Sequence, residues 1–219
     1  FVERALIAAF VGGVTPIVCL TKSDLGDPGA FEQELVDLDV DVLHTGIADD
    51  LDALLDRITG QLSAVIGHSG VGKSTLVNRL VPDANRETGE VSGVGKGRHT
   101  STQSVALELP GSDTGSSTGA GSEAGSEAEH PGWIIDTPGI RSFGLAHVSP
   151  DDVLDPFPEL AEAAENCPRG CTHAGPPADP ECAWDDLAAR NGEDSVIGRR
   201  VQAVRHLLEA LRINETTYD

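Results

Sequence analysis

The sequence contains no methionine, only three lysines, and no apolar run near the roughly 18 residues that a membrane-spanning helix needs. The last absence excludes a helical membrane anchor within these residues. The N-terminus also lacks the basic, apolar and small-residue order of a secretory signal. A soluble, cytoplasmic chain with no membrane partner is therefore expected. A translated chain normally starts with methionine, and this one starts at Phe1, so it is expected to be a piece of a longer protein. Positive charge is scarce as well: 15 Lys and Arg stand against 36 Asp and Glu, for a net charge of −21. That balance excludes broad, non-specific binding to nucleic acid. The deficit is uneven, since residues 1–60 carry 3 basic and 12 acidic side chains while residues 67–108 carry 5 and 4. Two of the three lysines, Lys22 and Lys73, fall inside short motifs; the third is Lys96.

What is present suits an α/β fold. The chain has 219 residues, 39% of them hydrophobic, enough for one domain of roughly 150 residues and a smaller appendage. A helix is expected over residues 1–11, stopped by Gly12-Gly13. A buried strand follows at 15–20 (TPIVCL), then a helix at 28–38, a strand at 40–44 and a helix at 49–59. Residues 61–66 (QLSAVI) form the next strand and run directly into Gly67. This alternation predicts a parallel sheet with helices on both faces. Residues 111–129 (GSDTGSSTGAGSEAGSEAE) contain no large apolar side chain and read as a flexible insertion, about 111–130, between two strands. A strand resumes at 133–135, short helical segments follow residue 149, and a helix over 194–211 closes the chain. The boundary between the two domains, 1–148 and 149–219, is placed near Val148.

Gly67-His68-Ser69-Gly70-Val71-Gly72-Lys73-Ser74, followed by Thr75, satisfies G-x-x-x-x-G-K-[ST] between a predicted strand and a predicted helix. Its glycines let the backbone curl so that successive N–H groups meet phosphates, and the helix adds the positive end of its dipole. Lys73 is expected to reach the β- and γ-phosphates, and the Ser74 hydroxyl to bind Mg²⁺. Thr21-Lys22-Ser23-Asp24 ends a predicted strand and matches [NT]-K-x-D. The Asp24 carboxylate can accept two hydrogen bonds from guanine, whereas adenine would leave it unpaired at severe cost. The Lys22 stem can lie across the purine. Asp136-Thr137-Pro138-Gly139 matches D-x-x-G, with Asp136 expected at Mg²⁺ and the Gly139 N–H at the γ-phosphate. Between them, residues 97–102 (GRHTST) sit where a switch segment should give a hydroxyl to Mg²⁺, from either Thr100 or Ser101.

The order of these motifs is rotated. In the usual Ras-like order the phosphate loop comes first and the base-reading loop near the end; here TKSD precedes the phosphate loop. Joining the old termini and opening new ones gives the same sheet, so a circularly permuted Ras-like P-loop GTPase domain is expected. DTPG then leads straight into the C-terminal segment, which loss of the γ-phosphate could move.

With these motifs the chain resembles the circularly permuted ribosome-assembly GTPases called RsgA (YjeQ). The resemblance rests on TKSD, GHSGVGKST at 67–75, GRHTST, WIIDTPGIRSFGL at 133–145 and a Cys/His cluster near the C-terminus. It implies GTP hydrolysis coupled to late maturation of the small (30S) ribosomal subunit, with 16S rRNA as a partner, and an N-terminal OB-fold that is expected to be missing from this piece. The sequence departs from the family at Thr21, where many GTPases have Asn, and at Leu43-His44-Thr45-Gly46, which replaces the base-proximal Ser-Ala loop. Ser101 stands for a common Thr, and the insertion is atypical.

A glutamine that orients the attacking water is also missing, because Ile140 follows D-x-x-G. His99 is the candidate for that role, resembling the histidine proposed for it in the family. A switch-surface or RNA-contacting role is its alternative. Slow intrinsic turnover is expected, raised when a ribosomal partner positions the switch.

Cys167, Cys171, His173 and Cys182 give C-x₃-C-x-H-x₈-C. Three thiolates and one imidazole suit a closed, structural Zn²⁺ site in a small α-helical C-terminal domain, and a cytosolic setting disfavours disulfides. The family spacing is usually C-x₄-C-x-H-x₅-C. Cys19 reads as a core residue. The expected complement is GTP or GDP with Mg²⁺ and one Zn²⁺ on a monomer. Two alternatives are an RNA- or ribosome-binding nucleotide switch with negligible turnover, and a large-subunit assembly GTPase, which should lack the Cys/His cluster.

Overall fold

Helix α1 (Val2–Val11) ends at the expected glycine pair. Gly13 takes φ +63°, which costs a residue without Cβ little. The Gly13 amide then donates to the Phe10 carbonyl at 3.1 Å and the Val14 amide to the Ala9 carbonyl at 2.9 Å, satisfying the last carbonyls of the helix. The computed structural model describes residues 1–22, 25–84, 103–110, 131–140 and 144–213. The switch segment with His99, Thr100 and Ser101, the insertion at 111–130, and Ser23 with Asp24 lie outside the described residues.

The remaining elements are β1 (Ile17–Leu20), α2 (Gly29–Asp37), β2 (Asp41–His44), α3 (Asp52–Ile58), β3 (Leu62–Val65), α4 (Lys73–Leu80), β4 (Val105–Glu108), β5 (Trp133–Asp136), α5 (Pro158–Ala164), α6 (Ala183–Asn191) and α7 (Val196–Arg212). Helix α3 starts later than residue 49 because Asp49 is engaged elsewhere: its carboxylate accepts from the Gly46 amide at 2.8 Å.

The sheet corrects one expectation. Strand β3 pairs in parallel with β5, from Leu62 opposite Trp133 to Val65 opposite Asp136. Strand β4 pairs with β5 antiparallel, Val105 opposite Asp136 and Glu108 opposite Trp133. The three-stranded sheet β3-β5-β4 is therefore mixed, and β1 and β2 form a separate two-stranded sheet among the described residues. Direction is a property of the pair. An antiparallel partner needs no crossover helix, and nothing in the VALE pattern of β4 distinguishes the two cases.

The chain divides into two compact units. One holds Phe1–Cys19, Gly26–Val42 and Ser142–Asp219; the other holds Leu20–Leu25 and Leu43–Arg141. The first unit is helical at its centre. Helix α7 buries Val201, Val204, Leu207, Leu208 and Leu211 at helical spacing, and α1 and α2 both pack on it. Leu6, Ile7, Leu35, Phe157, Leu160 and Trp184 complete its core, with Phe10 edge-on to Phe157 at 5.7 Å. Ser195 caps α7, its hydroxyl accepting from the Gly198 amide at 3.0 Å.

Two arginines fasten α2 to α7. The Arg199 Nε donates to both oxygens of the buried Asp37 carboxylate, at 3.1 and 3.0 Å. The Arg200 Nε donates to the Asp37 carbonyl at 2.7 Å, at the negative end of α2. Its two other nitrogens reach Glu159 and Asp39, each at 2.5 Å.

In the second unit, α3 buries Leu54 and Ile58, α4 buries Leu76, Val77 and Leu80, and Ile134 of β5 is fully enclosed. No helix among the described residues is long and apolar enough to cross a membrane.

Candidate functional site

Strand β3 runs into Gly67, and the chain curls before α4 begins at Lys73. Gly72, just before the helix, takes φ +104°, a conformation L side chains rarely adopt. Helix α4 has no side-chain cap and no acidic residue in its first turn. Its first N–H groups thus keep their capacity for an external acceptor, which the helix dipole favours as an anion. The Lys73 ammonium folds back over the loop and donates to the carbonyls of Gly67 and His68, each at 2.8 Å. Partial burial lowers the Lys73 pKa, and the charge of Asp136 opposes that shift.

Asp136 ends β5 and is 2% exposed. Beyond it, the Thr137 hydroxyl donates to the Val65 carbonyl at 2.7 Å, and the Ile140 amide to the Gly67 carbonyl at 3.1 Å. Gly139 lies so close to the loop that a Cβ there would stand 2.9 Å from the Ser69 nitrogen. D-x-x-G and the phosphate loop are thus held edge to edge.

The TKSD motif reaches the same loop. The Thr21 hydroxyl donates to the Val71 carbonyl at 2.6 Å, and the Lys22 ammonium to the Gly70 carbonyl at 2.8 Å. Lys22 itself takes φ +56°. Three groups far apart in sequence, Thr21 with Lys22, Gly67 to Lys73, and Asp136 to Gly139, therefore meet within the second unit. The expected roles of Ser23, Asp24, His99, Thr100 and Ser101 concern residues outside the described set.

A second constellation lies in the first unit. The donor atoms of Cys167, Cys171, His173 and Cys182 all fall within 4.8 Å of one another. The His173 Nδ1 is 3.6, 3.7 and 3.8 Å from the three sulfurs. Bond lengths of about 2.3 Å to sulfur and 2.05 Å to nitrogen in a tetrahedron imply roughly 3.5–3.6 Å for that separation. The four groups are therefore spaced to bind one tetrahedral metal ion, and all four cysteines of the chain are free. Burial, followed by the neighbouring thiols, pushes the Cys171 thiol up to about 12 despite the His173 amide on its sulfur. Burial also raises Cys182 and lowers His173. A divalent cation reverses that logic, because it stabilises thiolates that the bare cluster disfavours.

The surroundings of this cluster were not anticipated from the motif. The His173 ring stacks on the buried Trp184 with centroids 4.3 Å apart, and the Trp184 Nε1 is fixed on the Leu160 carbonyl at 2.9 Å. Arg205 of α7 donates from Nε to the His173 carbonyl at 2.9 Å; its Nη2 lies 2.9 Å from Asp185 and 3.7 Å from the Cys182 sulfur. Asp179 accepts from Thr172 and from the Ala174 amide, tying off the loop. A basic residue on the apolar side of α7 was the one available sign, and it has no local signature.

Residues 1–146 match the family model described as RsgA GTPase. This chain belongs to the RsgA GTPase family. Among its curated relatives is the small ribosomal subunit biogenesis GTPase RsgA of Pseudomonas aeruginosa, 34% identical over 231 residues that cover 99% of this chain and 59% of the relative. The protein of the same name from Alcanivorax borkumensis is 35% identical, over 87% of this chain and 51% of its own length. That of Bacillus anthracis is 30% identical, over 99% and 68%. The chain thus spans between about half and two thirds of the RsgA proteins it matches.

Proposed function

We propose that this chain is the nucleotide-binding and metal-binding part of a GTPase that acts in maturation of the small ribosomal subunit in the cytoplasm. The observation that carries the guanine reading is the contact of Thr21 and Lys22 with the carbonyls of Val71 and Gly70. It supports a base-reading role for TKSD, because Thr21 and Lys22 touch the phosphate loop even though the two motifs occur in rotated order. That order is the basis for reading residues 1–148 as a circularly permuted Ras-like domain, and residues 149–219 as a helical zinc-binding domain. The names of the relatives support the small subunit as the partner; binding to 16S rRNA and a monomeric state are part of the proposal.

Lys73 and the loop amides from Gly67 to Thr75 would hold the β- and γ-phosphates, and Asp24 would read the guanine edge. Ser74, Asp136 and one hydroxyl of Thr100 or Ser101 would hold Mg²⁺, which neutralises charge on the phosphates when bound. His99 is the proposed group that orients the water, and Gly139 the proposed contact to the γ-phosphate. Ile140 gives no polar side chain at the position after D-x-x-G. That favours slow intrinsic turnover, and it is the observation behind a second reading, a nucleotide switch that hardly turns over. At the Cys/His cluster a closed four-ligand set leaves no open position, which suits a structural Zn²⁺.

The test is Mg²⁺-dependent titration of GDP, GTP and ATP, repeated with Asp24→Asn. Guanine binding that ignores ATP, with the preference lost in the variant, is the expected result. Equal affinity for ATP and GTP would remove Asp24 as base reader and the function with it. Turnover unchanged in His99→Ala would favour the switch.

A further inference from the structure

We infer that Arg79 is a positioning residue for the nucleotide base, acting through loop 45–49. The inference rests on the guanine reading above and goes beyond it. Arg79 lies in the last turn of α4, six residues after Lys73, so one helix carries the phosphate-facing lysine at its start and this guanidinium at its end. The Arg79 Nη1 donates to the Gly46 carbonyl at 2.7 Å and to the Thr45 carbonyl at 3.4 Å. Its Nη2 donates to the Asp49 carbonyl. One planar donor fork thereby gathers three carbonyls of one loop, a geometry that a lysine point charge does not reproduce.

The loop is braced on its other sides too. The Asp49 carboxylate accepts from the Gly46 amide at 2.8 Å. The Thr45 amide donates to the Leu20 carbonyl at 2.9 Å. Leu20 immediately precedes Thr21 and Lys22, whose side chains reach back to the phosphate loop. A closed circuit results: phosphate loop, α4, Arg79, loop 45–49, strand end, base-reading motif, phosphate loop. Thr45 is 5% exposed, and its hydroxyl is buried with no partner among the described residues, so this loop packs tightly without being fully satisfied by the protein.

An arginine on a phosphate-loop helix invites a reading as a phosphate contact. Here its donors are aimed at the loop that flanks the base-reading motif. Arg79 should therefore govern how well the site grips and discriminates the base, and leave phosphate binding alone.

The experiment uses the full 219-residue chain and the variants Arg79→Gln and Arg79→Lys. Binding of GDP, ADP and inorganic triphosphate is titrated with Mg²⁺, and GTP turnover is measured alongside. We expect Arg79→Gln to weaken GDP on the order of 10- to 100-fold, the range for a displaced positioning group. Inorganic triphosphate should bind as before, and the KM for GTP should rise with kcat retained at saturation. Arg79→Lys should fall between the two. GDP affinity unchanged in a folded Arg79→Gln chain overturns the proposal and leaves the guanine reading standing. Equal loss of GDP and triphosphate binding also overturns it, since that is the mark of a damaged phosphate loop or fold. Failure of the unsubstituted chain to prefer GDP over ADP overturns the guanine reading, and this proposal with it.

Discussion

Replacing Arg200 by Met should destabilise the first unit by about 2–4 kcal/mol, because it removes a half-enclosed cation from three acceptors at once. The Arg200 side chain is 13% exposed. It donates to the Asp37 carbonyl at 2.7 Å, a helix-terminal acceptor that Met leaves unpaired. A charged bond of that kind contributes about 1.5–3 kcal/mol. Glu159 is 28% exposed and contributes less; Asp39 is 70% exposed, so solvent screens it to about 0.5 kcal/mol or below. Met keeps the length of the side chain, so little packing is lost. Urea unfolding followed by tryptophan fluorescence reads the effect, since buried Trp184 belongs to the first unit and Trp133 to the second. With an m-value of about 1–3 kcal/mol/M, the Trp184 midpoint should drop by roughly 0.7–4 M. A double-mutant cycle with Glu159→Gln isolates the ion pair. A midpoint unchanged in Arg200→Met would refute the view that α7 holds α2 through this side chain.

Two further outcomes follow from the sites. Gly139→Ala places a methyl 2.9 Å from the Ser69 nitrogen, so the D-x-x-G turn must retreat from the phosphate loop. Nucleotide affinity should fall at least tenfold with the fold retained, and an unaltered GDP titration would count against that contact. At the Cys/His cluster, Co²⁺ should give the absorption of a tetrahedral thiolate site that Cys182→Ser weakens. Cys171, pushed up to about 12, and Cys182, also raised, are protonated near neutral pH and must release protons when the metal binds. Metal affinity should therefore climb with rising pH from 7 to 9, measured by chelator competition; a flat profile would refute the raised thiols.

The sequence made local structure legible where the signal is itself local. Gly12-Gly13 ended α1, the apolar runs before Thr21 and Gly67 became β1 and β3, and the last helix came within a residue or two of its bounds. The four metal-type ligands were readable from spacing alone and are brought together. Strand direction was not, because β4 pairs antiparallel through a choice its own four residues do not encode. Arg79, Arg200 and Arg205 also escaped notice. Each owes its role to partners between 20 and 163 positions away, and an arginine within an amphipathic helix looks the same whether it faces water or a carbonyl.

The make-up of the first unit bears on how this chain can be synthesised. Leu6 and Ile7 share a core with Leu207 and Leu208, and the Arg4 Nη1 donates to the Ala210 carbonyl at 2.9 Å, 206 positions along the chain. Helix α1 therefore has no finished partner until almost the last residue of this stretch has left the ribosome, and loop closure of that span is slow. The second unit lies between those segments and can condense first. Its nascent chain would carry an assembled phosphate loop while the helical unit still waited for α7.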